Sequence, residues 1–380
     1  MSGLLVYSED LTKYDFGPDH PMAPGRVRNT ISLARQLGVL DRLQVVPPPE
    51  IDLNLLTAVH TPEYIAAVQR GQRNEVFGLG TSDNPIFAGM HEISALVSMA
   101  SVEACRRVLS GEVKRASNVS GGLHHAMPDR TSGFCVYNDI AVAISWLLDQ
   151  GVERVAYVDV DVHHGDGVQH IFYDDPRVMT VSLHETPVSL FPGTGFPIEV
   201  GGPGAEGSAV NVALPPGTGD AGWLRAFHAV VPHVLRAHQP QILITQHGCD
   251  SHRHDPLADL DLSLDGQRAS YLALAELADE ICDGRWVSTG GGGYAVLHVV
   301  PRAWTHLLGI VGGVPVPPET EIPALWREEM GEWAPLLMTD GADAAYTPFE
   351  AGFSPESRLD QAILATRKAV FPELGLDPLL

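Results

Sequence analysis

The stretch Tyr157-Val-Asp-Val-Asp-Val-His-His-Gly-Asp-Gly167 decides how the rest of the chain is read. Side chains alternate along an extended chain, so Val158, Val160 and Val162 face one side while Asp159, Asp161 and His163 face the other. An apolar valine face predicts a buried strand, taken here as Arg154–Val162. Two carboxylates on the opposite face carry a heavy desolvation cost unless a cation or a hydrogen-bond donor offsets them. No Lys or Arg lies within the stretch. An oxygen and nitrogen donor pair, Asp161 and His163, suits zinc or a related divalent metal. The alternative is a pair of structural carboxylates matched to basic groups from elsewhere.

Outward from this segment, apolar runs alternate with helical periodicity. Leu4–Tyr7, Val178–His184, Gln241–Thr245 and Trp286–Thr289 read as further strands. Asn138–Gln150 reads as a helix, with Asn138 or Asp139 as its cap and Gly151 as its stop. Trp223–His238 and Leu264–Cys282 follow the same pattern. Strands this apolar, separated by helices, predict an α/β fold with a mainly parallel sheet covered on both faces. In such folds ligands gather beyond the carboxyl ends of the strands. The Gly-rich turn His164-Gly-Asp-Gly167 stands at such an end.

The 380 residues carry no internal repeat or long linker. There are 24 basic and 47 acidic residues, a net charge of −23, which disfavours direct nucleic-acid binding. Such a balance suits cationic partners, lysine-rich tails or polyamines, although it also serves simply as solubilising charge. No apolar run is long enough for a membrane span, and the N-terminus lacks a signal-peptide pattern, so the expected location is the cytoplasm. Cys105, Cys135, Cys249 and Cys282 form no CxxC pair and read as small core residues.

Three further motifs flank the predicted strand ends. Gln246-His-Gly-Cys-Asp250 follows an apolar strand, and Asp250 supplies a third ligand beside Asp161 and His163. Three protein ligands with one open position mark a catalytic rather than a structural zinc. Taken alone, Asp250 could equally be a helix cap or a turn residue. Gly121-Gly-Leu-His-His125 presents two imidazoles suited to acid–base work, with Asp159 and Asp166 as carboxylates to fix their tautomers. Away from a metal, such a pair is an ordinary loop feature. Thr289-Gly-Gly-Gly-Gly-Tyr294 lets the backbone approach a ligand closely and swings a phenol inward, where it can donate to a developing oxyanion. A dinucleotide loop lacks the required glycine spacing.

In order along the chain, His20-Pro-Met-Ala-Pro-Gly-Arg26, Gly121–His125, Ser132-Gly-Phe-Cys-Val-Tyr-Asn-Asp139, Tyr157–Gly167, Val178–His184, Phe191-Pro-Gly-Thr-Gly195, Gly248–Leu257 and Gly290–Tyr294 resemble the class I-type zinc histone deacetylases. Within that superfamily the chain is most similar to the bacterial acetoin-utilization-type deacetylases. The resemblance runs from about residue 5 to about 315, and residues 316–380 read as an extension packed on a single domain spanning 1–380.

The resemblance implies an arginase-like fold, an open sheet of about eight strands with helices on both sides. It implies zinc, with iron as the variant, held by Asp161, His163 and Asp250. His125, paired with Asp166, would be the general base and then the acid, and His124, paired with Asp159, would tune the site. Tyr294 would bind the carbonyl oxygen. Gly133, Phe134 and Phe191 match the walls of an acyl-lysine tunnel, Leu257 and Asp83 its rim, and Arg26 an arginine near an internal acetate channel. Structural potassium, or sodium, is implied at Asp159, Asp161, His163, Ser182 and Leu183, and again near Phe172, Asp175 and Val178.

The implied reaction removes acetyl groups from lysine side chains of proteins and releases acetate. An acyl-CoA synthetase is one conceivable protein substrate, as in acetoin-utilization-type relatives. Three rivals remain at this point: an acetylpolyamine amidohydrolase, an arginase-type dimanganese hydrolase, and a non-catalytic module that binds acetylated tails. One departure from the family pattern is Cys249, where relatives carry Ala, and a thiol beside the metal raises the question of oxidation sensitivity.

Overall fold

A computed structural model describes residues 3–379. Eight strands form one wholly parallel sheet: β1 (Gly3–Val6), β2 (Leu43–Val46), β3 (Arg115–Asn118), β4 (Val155–Asp159), β5 (Val178–Glu185), β6 (Ala209–Leu214), β7 (Ile242–Gln246) and β8 (Trp286–Thr289). Their order across the sheet is β2-β1-β3-β8-β7-β4-β5-β6. This is the α/β architecture the strand–helix alternation predicts.

The helices among the described residues are α1 (Gly25–Gln36), α2 (Leu53–Thr57), α3 (Pro62–Arg70), α4 (Met90–Leu109), α5 (Asp139–Asp149), α6 (Asp166–Phe172), α7 (Asp220–His238), α8 (Leu264–Ile281), α9 (Val300–Val311), α10 (Ala324–Met330) and α11 (Arg358–Val370). Period-two alternation divides the strands between two cores. Leu5, Ala156, Val158 and Leu243 join the apolar residues of α1, α7, α8 and α9 on one face. Leu4, Val6, Val155, Tyr157 and Ile244 join those of α3, α4 and α5 on the other. Both faces of each central strand are therefore dry, which explains why these strands read as almost continuous apolar runs.

The cap expected at Asn138 is found, Ser263 caps α8 without having been singled out, and α7 starts at Asp220, three residues before the expected Trp223. Asn138 accepts from Ala141 N at the start of α5, and Ser263 accepts from Gly266 N at the start of α8. The strand expected over Arg154–Val162 is shorter than that, because β4 ends at Asp159. The carboxylates themselves end it: Asp159 Oδ1 accepts from Asp161 N, and Asp161 Oδ1 accepts from His163 N. Such local side-chain bonds compete with a strand ladder and turn the backbone. Strand β3, Arg-Ala-Ser-Asn, has no apolar alternation and gave no signal of its own. It is a strand because its neighbours β1 and β8 supply both ladders.

Candidate active site and metal centre

Because β4 and β7 are adjacent, their carboxyl ends bring two separate sequence motifs to one point. Asp161, His163 and Asp250 are buried, and their ligand-capable atoms lie within 4.8 Å of one another. His163 Nδ1 is 3.1 Å from Asp161 Oδ1 and 3.1 Å from Asp250 Oδ2. Gln246 Nε2 and Gly292 N each donate to Asp161 Oδ2 over 2.7 Å, and Val162 N donates to Asp250 Oδ1 over 3.0 Å. The ligand side chains are thus held from behind by backbone and amide donors.

The electrostatics call for a cation here. Burial works against charge on His163, yet Asp161 and Asp250 outweigh it and raise the imidazole to about 10. Burial and the charge on Asp161 push Asp250 up to about 6. Among the described residues, no Lys or Arg forms an ion pair with either carboxylate. Two carboxylate oxygens and one imidazole nitrogen form a donor set that fits zinc or a similar divalent ion. The space is cut to suit: a Cβ on Gly248 would lie 1.9 Å from Asp161 Oδ2, and one on Gly292 would lie 1.9 Å from Asp250 Oδ2. Only glycine lets these loops pass so close to the carboxylates.

The loop after β3 carries the two histidines. His124 Nδ1 lies 2.7 Å from Asp159 Oδ2, and His125 Nδ1 lies 2.6 Å from Asp166 Oδ1 at the head of α6. Their Nε2 atoms are 3.0 Å apart. Each carboxylate accepts from an Nδ1–H, so a charged His124 donates its Nε2–H to the Nε2 lone pair of a neutral His125. Burial opposes charge on His124, but Asp159 and Asp161 outweigh it and raise that ring to about 9. At His125, burial and the neighbouring His124 charge outweigh Asp166 and lower the ring to about 4. The two rings are driven apart in proton affinity, as an acid–base pair requires.

Above this centre opens a cavity of about 240 Å³, lined by Asp83, His125, Gly133, Phe134, His163, Leu190, Phe191, Leu257 and Tyr294. The tunnel and rim residues inferred from the resemblance, Gly133, Phe134, Phe191, Leu257 and Asp83, all lie here. Leu190 joins them without having been singled out. Phe191 stands edge-on to His125, with ring centres 5.0 Å apart, and Phe134 stands edge-on to Tyr294 at 5.8 Å. Burial raises the Tyr294 phenol well above its usual value, so it remains a donor at neutral pH.

Arg26 does not line the cavity. Its guanidinium lies 5.5 Å behind the Tyr294 ring and donates to the carbonyls of Gly293, at 2.7 Å, and Gly291. Asp159 pairs in register with Ser182 across β4 and β5, with Leu183 next along the strand. Near the other expected cation position, Phe172 O and Asp175 O accept from Asp175 N and Val178 N in a turn. The Asp175 carboxylate there pairs with Arg177 at 2.6 Å. Cys249 is fully buried, and burial pushes its thiol well up from the usual range.

Several residues that hold the site were read from sequence only as caps or not at all. Asp139 accepts from Gly122 N, Leu123 N and Ser101 Oγ, and Asn138 Nδ2 donates to His124 O and Ala126 O. Together they fix the histidine loop onto α5. Asp255 Oδ2 accepts from Tyr294 N at 2.7 Å. Their only linear signal was membership of the quoted motif segments.

Comparison with known proteins agrees with this geometry. Residues 20–311 match the family model described as the histone deacetylase domain. The chain is 38% identical to the acetoin utilization protein AcuC of Bacillus subtilis over 351 residues, which is 90% of either chain. It is 34% identical to the protein of that name from Staphylococcus xylosus, over 87% of this chain and 86% of that one. A crystal structure of a histone deacetylase homolog complexed with SAHA superposes with a TM-score of 0.85 at 27% identity, covering 97% of this chain and 100% of that one. The homolog from Aquifex aeolicus gives 0.84 at 26% identity, with the same coverage.

Proposed function

The chain belongs to the histone deacetylase family, and on that premise we propose that it is a zinc-dependent hydrolase that removes acetyl groups from the lysine side chains of proteins. The observation that carries this reading is one cavity lined by His125, Tyr294 and His163, the last of which belongs to the Asp161–His163–Asp250 cluster. When bound at that cluster, a divalent cation polarises an amide carbonyl and acidifies water.

The chain's own groups do the rest. Phe134, Phe191 and Gly133 enclose the aliphatic stem of the substrate and exclude bulk water, while Asp83 at the mouth accepts from the substrate backbone. His125 Nε2 takes the proton of the attacking water, with Asp166 holding Nδ1. The Tyr294 hydroxyl donates to the oxyanion that develops at the carbonyl oxygen. His125 then passes its proton to the leaving amine, giving acetate and a free lysine. His124, bound to Asp159, keeps positive charge beside the reacting centre.

Monovalent cations, potassium or sodium, at Asp159, Asp161, His163, Ser182 and Leu183 and at the Phe172–Val178 turn belong to this reading. They would offset carboxylates that share one buried region. A cytoplasmic location also belongs to it; no helix among the described residues is long and apolar enough to cross a membrane. Among the described residues, Asp161, His163 and Asp250 form the one cluster of three or more ligand-type side chains able to share an ion, which favours a single-metal hydrolase over a dimanganese one.

The net charge of −23 favours a second substrate class, acetylated polyamines. Side-by-side assays of the zinc-loaded protein with an acetyl-lysine peptide and with acetylspermidine separate the two. A higher kcat/KM on the peptide supports the proposal, and a preference for acetylspermidine replaces it. Absence of hydrolysis on both points to a binding module. A fall in acetylation of an acyl-CoA synthetase when both proteins are incubated together would identify that enzyme as a target.

A further inference from the structure

Beyond the matched residues 20–311, the chain returns to the active-site side of the sheet at Asp340. The Asp340 carboxylate joins three elements that the sequence keeps far apart. Its Oδ2 accepts from His252 Nε2 at 2.7 Å and from Leu264 N at 2.9 Å, and its Oδ1 pairs with Arg302 Nη2 at 2.8 Å. His252 Nδ1 accepts from His254 N at 3.1 Å, which leaves the ring proton on Nε2, aimed at Asp340. Asp340 is itself held in place: Asp340 N and Ala342 N donate to Asp265 Oδ2 at 3.1 and 3.0 Å, and Thr339 Oγ1 donates to Asp265 Oδ1 at 2.6 Å.

The contacts continue from His252 to the reacting groups. His252 lies two residues after Asp250, and its carbonyl accepts from Asp255 N at 2.8 Å. Asp255 in turn grips Tyr294 N through Oδ2 at 2.7 Å and Leu257 N through Oδ1 at 3.1 Å. Arg302, the other partner of Asp340, belongs to α9, which follows the Tyr294 loop, and its Nη1 donates to Thr339 O at 3.0 Å. One carboxylate therefore ties the loop that carries Asp250 and Asp255 to the helix that follows Tyr294.

We propose that Asp340 is a positioning residue of the active site: through His252 and Arg302 it sets where the Asp250–Leu257 loop and Tyr294 stand relative to each other. This rests on the reading of Tyr294 and Asp250 given above. A small misplacement of an oxyanion donor lowers turnover far more than it weakens substrate binding. A staple that served folding alone would behave differently, because loss of global stability leaves the kcat of the molecules still folded unchanged.

The test compares Asp340→Asn with Asp360→Asn in the full-length zinc-loaded protein. Asp360 anchors α11 to α7 through Arg225 at 2.8 and 2.9 Å and touches none of the groups named above. Melting temperature, zinc content and the kcat and KM on an acetyl-lysine peptide are measured for each. The expected result is a kcat about tenfold or more below wild type in Asp340→Asn with KM within about twofold, and a kcat close to wild type in Asp360→Asn. A kcat within about twofold of wild type in Asp340→Asn overturns the inference, as does an equal loss in both variants. If the wild-type protein shows no turnover, the functional reading fails instead. Zinc affinity by chelator competition then takes the place of kcat, with the same thresholds.

Discussion

Asp166 Oδ1 lies 2.6 Å from His125 Nδ1, and that carboxylate is the first residue of α6. The helix start fixes the carboxylate, and the carboxylate fixes the tautomer of the base. Asp166→Asn keeps the shape but presents an amide that can donate where Nδ1–H needs an acceptor. We expect kcat to fall about 10²–10⁴-fold with little change in KM, read from steady-state kinetics on an acetyl-lysine peptide. Retention of more than a tenth of wild-type kcat would remove His125 from the role of base.

Tyr294 lines the same cavity from the opposite loop, and its burial keeps the phenol protonated. Tyr294→Phe removes a single oxyanion donor without altering the shape of the wall. Turnover should drop about 10²–10³-fold, while a competitive inhibitor binds within a few-fold of its wild-type affinity. Near-normal turnover would show that the hydroxyl does not meet the developing charge.

At the metal cluster, two substitutions of different kinds should share one result. Asp250→Ala deletes a ligand, and Gly292→Ala drives a Cβ to 1.9 Å from Asp250 Oδ2 where neither loop can yield freely. Both proteins should lose bound zinc on elemental analysis after dialysis, with far-ultraviolet dichroism retained. Full zinc occupancy in Asp250→Ala would place the ion elsewhere.

Acid sensitivity follows from His60, which is buried beneath the histidine loop. Its Nδ1 lies 3.1 Å from Met127 O and its Nε2 accepts from Asn138 N at 3.0 Å, so the neutral ring is fully used. Burial, outweighing the Met127 and Pro128 carbonyls, lowers His60 to about 4. The unfolded chain, titrating near about 6.5, binds the proton first, so stability is lost as pH falls from about 6.5 towards 4. The limiting slope from this one ring is about 1.4 kcal/mol per pH unit. His60→Gln should be less stable at pH 7.5 but shallower in its pH dependence by about that slope, measured by urea unfolding at pH 7.5, 6.0 and 5.0. Parallel pH profiles for the two proteins would assign the acid sensitivity to other groups.

Linear sequence revealed the chemistry better than the architecture that aims it. Asp161 and His163 were legible because a buried valine strand carries carboxylates on its other face only where a cation or hydrogen-bond donors offset them. The central strands β4, β5, β7 and β8 were legible because both their faces are dry. Strand β3 was not, since Arg-Ala-Ser-Asn has no pattern apart from the neighbours that pair with it. The early end of β4 was hidden too, because it depends on Asp159 and Asp161 capturing backbone N–H groups two residues ahead.

By itself, then, the sequence determined which donors exist and which strand ends carry them, since residue type and period-two alternation are local properties. Only the tertiary structure decided that β4 and β7 are neighbours, which brings Asp250 to within reach of His163, 87 positions earlier in the chain. It alone turned Asp139, read only as a cap, and Asp255, not read at all, into supports of the histidine loop and of Tyr294. It also returned Asp340 to the active-site side of the sheet. The reason is physical: a carboxylate's partners are set by which loops meet at one edge of the sheet, and strand order is not written in any single segment.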